Sequence, residues 1–229
     1  NLTDHPGGDF RPDFSPDGTQ VAYNCREGNT VSICVRALDS LTARRVAEGR
    51  DAESWFFSPD GEWIGIKDEV GLSKVSVRGG QPQTILHWTD PERPGIGFTW
   101  TADGHILFGA AAGIQRVAES GGAPQQVTRI AAGSGVAAHT QPSLLPGGRR
   151  ALITILHTDG RRTGGVVNLD DGSVRDLGIL GVLRNGAATE LRRQFHGALL
   201  AGGRNRDGER GTALHARIAG AHVARSPQI

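Results

Sequence analysis

The chain repeats one five-residue stretch, Phe14-Ser15-Pro16-Asp17-Gly18, which returns unchanged as Phe57-Ser58-Pro59-Asp60-Gly61. Proline presets φ for the second position of a type I turn, the Asp side chain bonds to its own backbone, and glycine accepts the positive φ that closes the turn. Two partial copies keep the closing glycine: Thr101-Ala102-Asp103-Gly104 lacks the proline, and Leu145-Pro146-Gly147-Gly148 lacks the aspartate. The stretch therefore predicts a turn between two antiparallel strands, made four times along the chain.

The closing glycines recur at a nearly constant interval. They are Gly18, Gly61, Gly104 and Gly148, which lie 43, 43 and 44 residues apart. A period in this range, with short strand-like runs between the turns, is typical of the blades of a β-propeller. We therefore predict an all-β fold of four-stranded antiparallel blades, with four clear blades in this chain.

The repeat predicts one propeller domain over residues 1–229 and divides it into successive units. Residues 1–9 are the end of a preceding blade and a loop. Residues 182–229 are a degenerate fifth blade or an irregular tail, because the fifth closing glycine is missing. The four clear blades take residues 10–50, 51–94, 95–137 and 138–181.

Composition supports this fold and excludes several functions. The 34 glycines and 11 prolines favour short strands and turns over helices. A formal net charge of +1, from 25 basic and 24 acidic residues, provides no field to hold nucleic acid or a membrane surface. No apolar run approaches the roughly 18 residues of a membrane span, so a membrane link would come only through a parent protein. Because the chain contains no Met, even at its first position, we expect it to be a piece of something longer.

The two cysteines leave two interpretations open. Cys25 lies near the end of a predicted strand, and Cys34 lies in the next strand of the same hairpin. A disulfide between them would suit an oxidising compartment. Two small buried thiols are at least as compatible with the same pattern.

No residue pattern typical of catalysis or of metal binding is present. The chain has no G-x-S-x-G nucleophile turn, no phosphate-binding glycine loop, no H-E-x-x-H and no cysteine pair at zinc spacing. The aspartates of the turns, Asp17, Asp60 and Asp103, are explained by the turns themselves. We therefore predict a protein that is not an enzyme and that needs no cofactor or metal.

Binding is predicted in the loops that join the fourth strand of one blade to the first strand of the next. A propeller holds such loops rigidly on one face, beside its central channel. Their mixture of carboxylate, guanidinium and aromatic groups suits a protein or peptide partner. The candidate residues are His5, Asp9, Arg11, Arg50, Asp51, Glu53, Trp88, Asp90, Glu92, Arg93, His139 and Gln141. Alternatively each is an ordinary solvated loop residue, with Trp88 covering a blade edge.

The turns and their flanking strands resemble a known family, the TolB-type propeller repeats that are bacterial relatives of WD repeats. The resemblance covers about residues 10–180 and includes the apolar strand Val21-Ala22-Tyr23 after the first turn. Three further stretches are similar to the propellers that follow bacterial serine/threonine kinase domains: Ser58-Pro59-Asp60-Gly61-Glu62-Trp63-Ile64, Lys74-Val75-Ser76-Val77-Arg78-Gly79-Gly80 and Gln141-Pro142-Ser143-Leu144-Leu145-Pro146-Gly147-Gly148. The resemblance implies a fragment of a six-bladed ring. It also implies a membrane-tethered parent protein that carries the propeller in the periplasm or another extracytoplasmic space.

These observations predict a non-catalytic binding or sensing module of a larger bacterial signalling protein. Its ligand would be a protein, a peptide or a component of the cell envelope. One alternative is the gating propeller of a prolyl-oligopeptidase-type peptidase, whose chemistry would lie on a separate domain. A second is a propeller enzyme with a channel active site, for which His5, Asp51, Glu92 and His139 are the residues that could converge.

Overall fold

The computed structural model describes residues 10–27, 30–48, 52–88, 97–110 and 112–180. Over these residues the chain forms sixteen β-strands and no helix, which confirms the all-β prediction. None of this described part could cross a membrane as an apolar helix. The predicted end of a preceding blade and the predicted tail lie outside the described residues.

The strands follow one another as four antiparallel units of four consecutive strands. The first two units are separate four-stranded sheets, whereas the third and fourth are joined into one eight-stranded sheet by the pairing of Ala110 with His139. The units, called blades one to four, are β1–β4, β5–β8, β9–β12 and β13–β16. Their bounds are β1 (Phe10–Phe14), β2 (Gln20–Glu27), β3 (Thr30–Ala37), β4 (Ala43–Ala47), β5 (Ser54–Phe57), β6 (Trp63–Lys67), β7 (Gly71–Ser76), β8 (Gln83–His87), β9 (Phe98–Trp100), β10 (His105–Ala110), β11 (Gly113–Ala118), β12 (Gln125–Gln126), β13 (Val136–Leu144), β14 (Arg150–His157), β15 (Arg162–Asn168) and β16 (Val174–Leu180).

The repeated stretch forms the turn between the first and second strands of every blade. Each closing glycine donates its N–H to the carbonyl three residues earlier, and each has a positive φ. The values are 71° at Gly18, 72° at Gly61, 78° at Gly104 and 68° at Gly148. In the fourth turn the third position also has a positive φ, 89° at Gly147, as in a type II turn. That backbone favours glycine, which explains why this copy has lost its aspartate.

The turn aspartates hold these turns closed. Asp17 Oδ1 accepts hydrogen bonds from Ser15 Oγ at 2.6 Å and from the Thr19 N–H at 3.0 Å. Each of Asp17, Asp60 and Asp103 has a pKa below the ordinary value. The largest cause is the hydrogen bond that its carboxylate accepts from the serine or threonine hydroxyl two residues earlier. These carboxylates therefore have the structural role predicted for them.

The core lies between consecutive blades. One cluster joins blades one and two, a second joins blades two and three, and a third joins blades three and four. Because successive strand residues point to opposite faces, Ile106 and Phe108 of β10 pack toward blade two, whereas Leu107 packs toward blade four. The second strand of a blade is thus covered on both faces, as its apolar sequence predicts.

The structure decides between the two interpretations of the cysteines. Cys25 pairs with Ser32 across the β2–β3 hairpin, and Cys34 pairs with Tyr23, so the two cysteines are diagonal neighbours. They form a disulfide with a Cα–Cα distance of 5.8 Å, and both are buried. The interpretation as two free thiols is therefore wrong.

Candidate binding site at the loop end

The antiparallel order places the connections between blades at one end of each sheet. At this end, called the loop end, the first strand begins, the second ends, the third begins and the fourth ends. The repeated turns lie at the opposite end, called the turn end. A ligand bound by the connections between blades would thus meet β13 at its start and β14 at its finish.

The described residues include only some of the predicted site. Glu53, Trp88, His139 and Gln141 can be placed with their side chains, and Arg11 lies on strand β1 rather than in a loop. The others lie outside the described residues: His5, Asp9, Arg50, Asp51, Asp90, Glu92 and Arg93.

Glu53 holds the start of blade two. Its carboxylate forms an ion pair with the ammonium group of Lys67, whose side chain is 8% exposed against 39% for Glu53. The Glu53 N–H also donates to the Lys67 carbonyl at 2.9 Å. Burial lowers the pKa of Lys67, and the neighbouring carboxylates of Asp68 and Glu69 oppose that effect. Glu53 therefore satisfies a buried ammonium group.

Trp88 packs inward between blades two and three. Its indole N–H donates to the Asp68 carbonyl at 2.9 Å. Its ring meets Phe98 and Phe108 with centroid distances of 6.5 and 6.4 Å. These contacts favour the interpretation that Trp88 covers a blade edge over a role as a ligand platform.

His139 lies within strand β13, so its placement in a loop is wrong. It is 5% exposed, and burial lowers its pKa below the ordinary value. Thr128 Oγ1 accepts the Ile114 N–H at 2.8 Å and lies 2.8 Å from His139 Nδ1. The Thr128 hydroxyl and His139 Nδ1 therefore share one hydrogen bond inside the core.

Gln141 also lies in β13, and it carries the strained backbone of the site. Its φ is 52°, the single positive value at a non-glycine residue in the described part of the chain. The pairing with β14 shifts between Thr140 and Ser143, which marks a β-bulge. Gly97 packs directly on this backbone, because a Cβ there would lie 2.3 Å from Gln141 Cα. The Gln141 Oε1 accepts a hydrogen bond from Thr154 Oγ1 at 3.0 Å, so the side-chain NH₂ is directed by that contact.

The structure does not bring His139 and Gln141 together. His139 pairs with Ile155, whose side chain packs toward blade three, and its ring contacts Thr128 of that blade. Gln141 contacts Thr154, and adjacent strand residues point to opposite faces. The two side chains therefore do not converge. In the described part of the site, the Gln141 carboxamide and the His139 imidazole lie on opposite faces of the sheet.

A second polar cluster at the loop end was missed by the sequence analysis. Thr163 Oγ1 donates to Asp176 Oδ2 at 3.0 Å and lies 2.9 Å from His157 Nε2. Asp176 lies 3.6 Å from that same nitrogen. In a nucleophilic triad the acid binds the other ring nitrogen of the histidine, so this arrangement differs from one. Its members come from three strands at irregular spacing, which gives no sequence signal.

A metal centre is not formed by these groups either. Within the ranges that the structure describes, no three His, Cys, Asp or Glu residues are placed to hold a metal ion.

Comparison with known proteins identifies the fold. No family model matches the sequence, and no curated protein does. TolB from Acinetobacter baumannii superposes with a TM-score of 0.59 at 17% identity, over 74% of this chain and 43% of that protein. A protein assigned as TolB from Agrobacterium tumefaciens gives 0.59 at 19% identity, over 76% and 68%. A puromycin-hydrolysing peptidase from Mycobacterium tuberculosis gives 0.52 at 15% identity, over 74% and 29%.

The sheets and these similarities define the class as β-propeller. More narrowly, the chain has the TolB-like propeller fold. It spans 43% of the length of the A. baumannii protein and 68% of the length of the A. tumefaciens protein. The link to kinase-associated propellers stays a prediction.

Proposed function

We propose that this chain is a non-catalytic propeller module that binds a protein or peptide at the loop end, with Gln141 as a polar anchor. The observation that carries the proposal is the left-handed backbone of Gln141, in the first strand of a blade and at a bulge. Such strain costs on the order of 1–3 kcal/mol and is concentrated at ligand sites. Glycine would remove this cost but also the carboxamide, which Thr154 holds in one orientation.

The chemistry of Gln141 suits a peptide group. Its Oε1 is held by Thr154, which leaves the NH₂ to donate to a carbonyl of a ligand. The bulge re-aims this side chain relative to its neighbours in β13. A carboxamide in a fixed orientation recognises a backbone carbonyl without needing a charge, which agrees with a net charge of +1.

An extracytoplasmic location and a role in a signalling protein belong to the same proposal. The Cys25–Cys34 disulfide supports the location, because disulfides persist in oxidising compartments. A sensing role would follow if the ligand came from the cell envelope.

Peptide selection from a phage-displayed random library against the full chain tests the proposal, with affinities then measured by calorimetry. The variant Gln141→Gly should bind a selected peptide about tenfold more weakly, the loss of roughly one hydrogen bond. It should unfold at the same or higher urea concentration, because strain is relieved. Gln83→Ala is the control, since Gln83 is exposed at the turn end. Failure to enrich any peptide, or equal affinity for Gln141→Gly, would overturn the proposal.

A second candidate is the gating propeller of a peptidase. It is favoured by the similarity to the puromycin-hydrolysing peptidase, of which only 29% is matched. In that case the parent gene would encode a hydrolase domain, and the full-length protein would cleave amide substrates. Sequencing the locus and assaying the full-length product distinguishes the two candidates.

A further inference from the structure

A cavity of about 290 Å³ lies at the turn end, between blades three and four. Its walls include the third and fourth repeated turns, with Asp103 from one and Gly147 and Gly148 from the other. Because it lies at the opposite end of the sheets from Gln141, it is separate from the site proposed above.

Arg116 contributes a guanidinium group to the wall of this cavity. It pairs with Leu107 on one side and Gln125 on the other, and Leu107 packs toward blade four. Paired residues share a face, so the half-buried Arg116 side chain projects between the blades. Its Nε donates to Gln125 Oε1 at 3.1 Å. Among the described residues, no carboxylate forms an ion pair with it.

The other charged groups of the cavity already have partners. Arg149 forms two hydrogen bonds to Asp170 Oδ2, at 2.9 and 2.6 Å. Asp103 accepts a hydrogen bond from the Thr101 hydroxyl. His105 also lines the cavity, and its buried Nδ1 lies 3.4 Å from Asp103 Oδ2 without a hydrogen bond. Of the two arginines in the lining, Arg116 is thus the one without a carboxylate partner, and its terminal nitrogens can donate to an anion.

Part of the cavity wall is apolar, and part of it is open. Leu107 is buried, and Val127 and Leu169 pack partly buried against the same cluster. A Cβ built on Gly147 or Gly148 would meet no atom within 4 Å, so this wall leaves room. An apolar group of a few carbon atoms could be covered there while its polar end meets Arg116.

We infer that this cavity binds a small carboxylate with an apolar body, and that Arg116 binds the carboxylate group. A guanidinium group matches the planar carboxylate with paired hydrogen bonds. A phosphate dianion fits less well than a singly charged carboxylate, because its second negative charge adds to the repulsion from Asp103 and Asp170 in the same lining. The size of the cavity suits a short fatty acid or an amino acid with an apolar side chain.

Calorimetry on the full chain with hexanoate, hexanamide and sulfate tests this inference. Hexanoate should bind, hexanamide should bind at least about tenfold more weakly, and sulfate should not compete, because it lacks the apolar body. Arg116→Gln should weaken hexanoate about tenfold. Arg150→Gln should leave it unchanged, since Arg150 is exposed and does not line the cavity.

Two further comparisons keep the test decisive. If Arg116→Gln fails to fold, as judged by its thermal transition, Arg116→Lys keeps the charge and should retain part of the affinity. Equal binding of hexanoate and hexanamide to the parent chain would overturn the inference. So would an absence of hexanoate binding, or full affinity in Arg116→Gln.

Discussion

The close contact between blades three and four can be tested by substituting Gly172. This glycine lies in the turn between β15 and β16 and has a φ of 71°. A Cβ on it would lie 2.1 Å from the Val127 carbonyl oxygen, which is backbone and cannot rotate away. Gly172→Ala therefore adds two costs, the left-handed backbone and a displacement of the neighbouring blade.

Gly160 provides a matched control for the first cost. Its φ is 84°, and a Cβ there would meet nothing within 4 Å. Gly160→Ala should lower the free energy of unfolding by about 1–2 kcal/mol, the cost of an L-residue in this conformation. Gly172→Ala should lower it by roughly 2–5 kcal/mol, because overpacking adds about 1–3 kcal/mol.

Equivalent turns in the other blades extend this comparison into a series. A Cβ on Gly121 would lie 3.2 Å from the Ile85 carbonyl oxygen, and one on Gly79 would lie 3.9 Å from that of Arg45. The destabilisation by alanine should therefore decrease from Gly172 to Gly121 to Gly79. Urea unfolding followed by tryptophan fluorescence measures each value. Equal losses for Gly172→Ala and Gly160→Ala would refute the reasoning, since the close contact between blades would then cost nothing.

Three further predictions concern the disulfide and two titrating groups. Replacing Cys25 and Cys34 together by alanine should lower the free energy of unfolding by about 2–3 kcal/mol; thermal denaturation measures this, and an unchanged midpoint would count against the bridge. Burial lowers the pKa of His139 below its ordinary value of 6.5, so its contribution to stability is complete above that pH and is lost as the pH falls through the folded-state pKa. His139→Asn should remove this part of the pH dependence in urea titrations, whereas the exposed His87→Asn should keep it. The pKa of Asp60 is lowered from 3.8, chiefly by a hydrogen bond from a serine hydroxyl, so its contribution is present above 3.8 and lost in stronger acid. Asp60→Asn should cost about 1 kcal/mol at neutral pH and flatten the acid limb of the stability curve, and an unaltered acid limb would contradict the turn assignment.

The blades could be predicted because each turn is specified by adjacent residues. Pro16, Asp17 and Gly18 fix one turn through their own backbone preferences and local hydrogen bonds, whatever the rest of the chain does. The fourth turn deviates in its sequence and also in its backbone, at Gly147. The residues within each turn therefore determine both the repeated turn and the different backbone of the fourth turn.

The candidate site was harder to predict because loops and strand ends look alike in sequence. His139 and Gln141 follow a run of small residues that predicts a loop, but they lie in β13, which begins at Val136. The bulge at Gln141 depends on its pairing with β14 and on the close approach of Gly97. No local residue pattern signals either of these contacts.

The sequence by itself determined the class of fold, the number of clear blades and the position of every repeated turn. These features follow from short-range backbone preferences and from the alternation of apolar residues along strands. Only the tertiary structure decided which side chains meet. It joined Cys25 to Cys34, separated His139 from Gln141 and placed Arg116 in a cavity without a carboxylate partner. Such contacts depend on strand register and on the packing of one blade against the next, which residues far apart in the chain determine jointly.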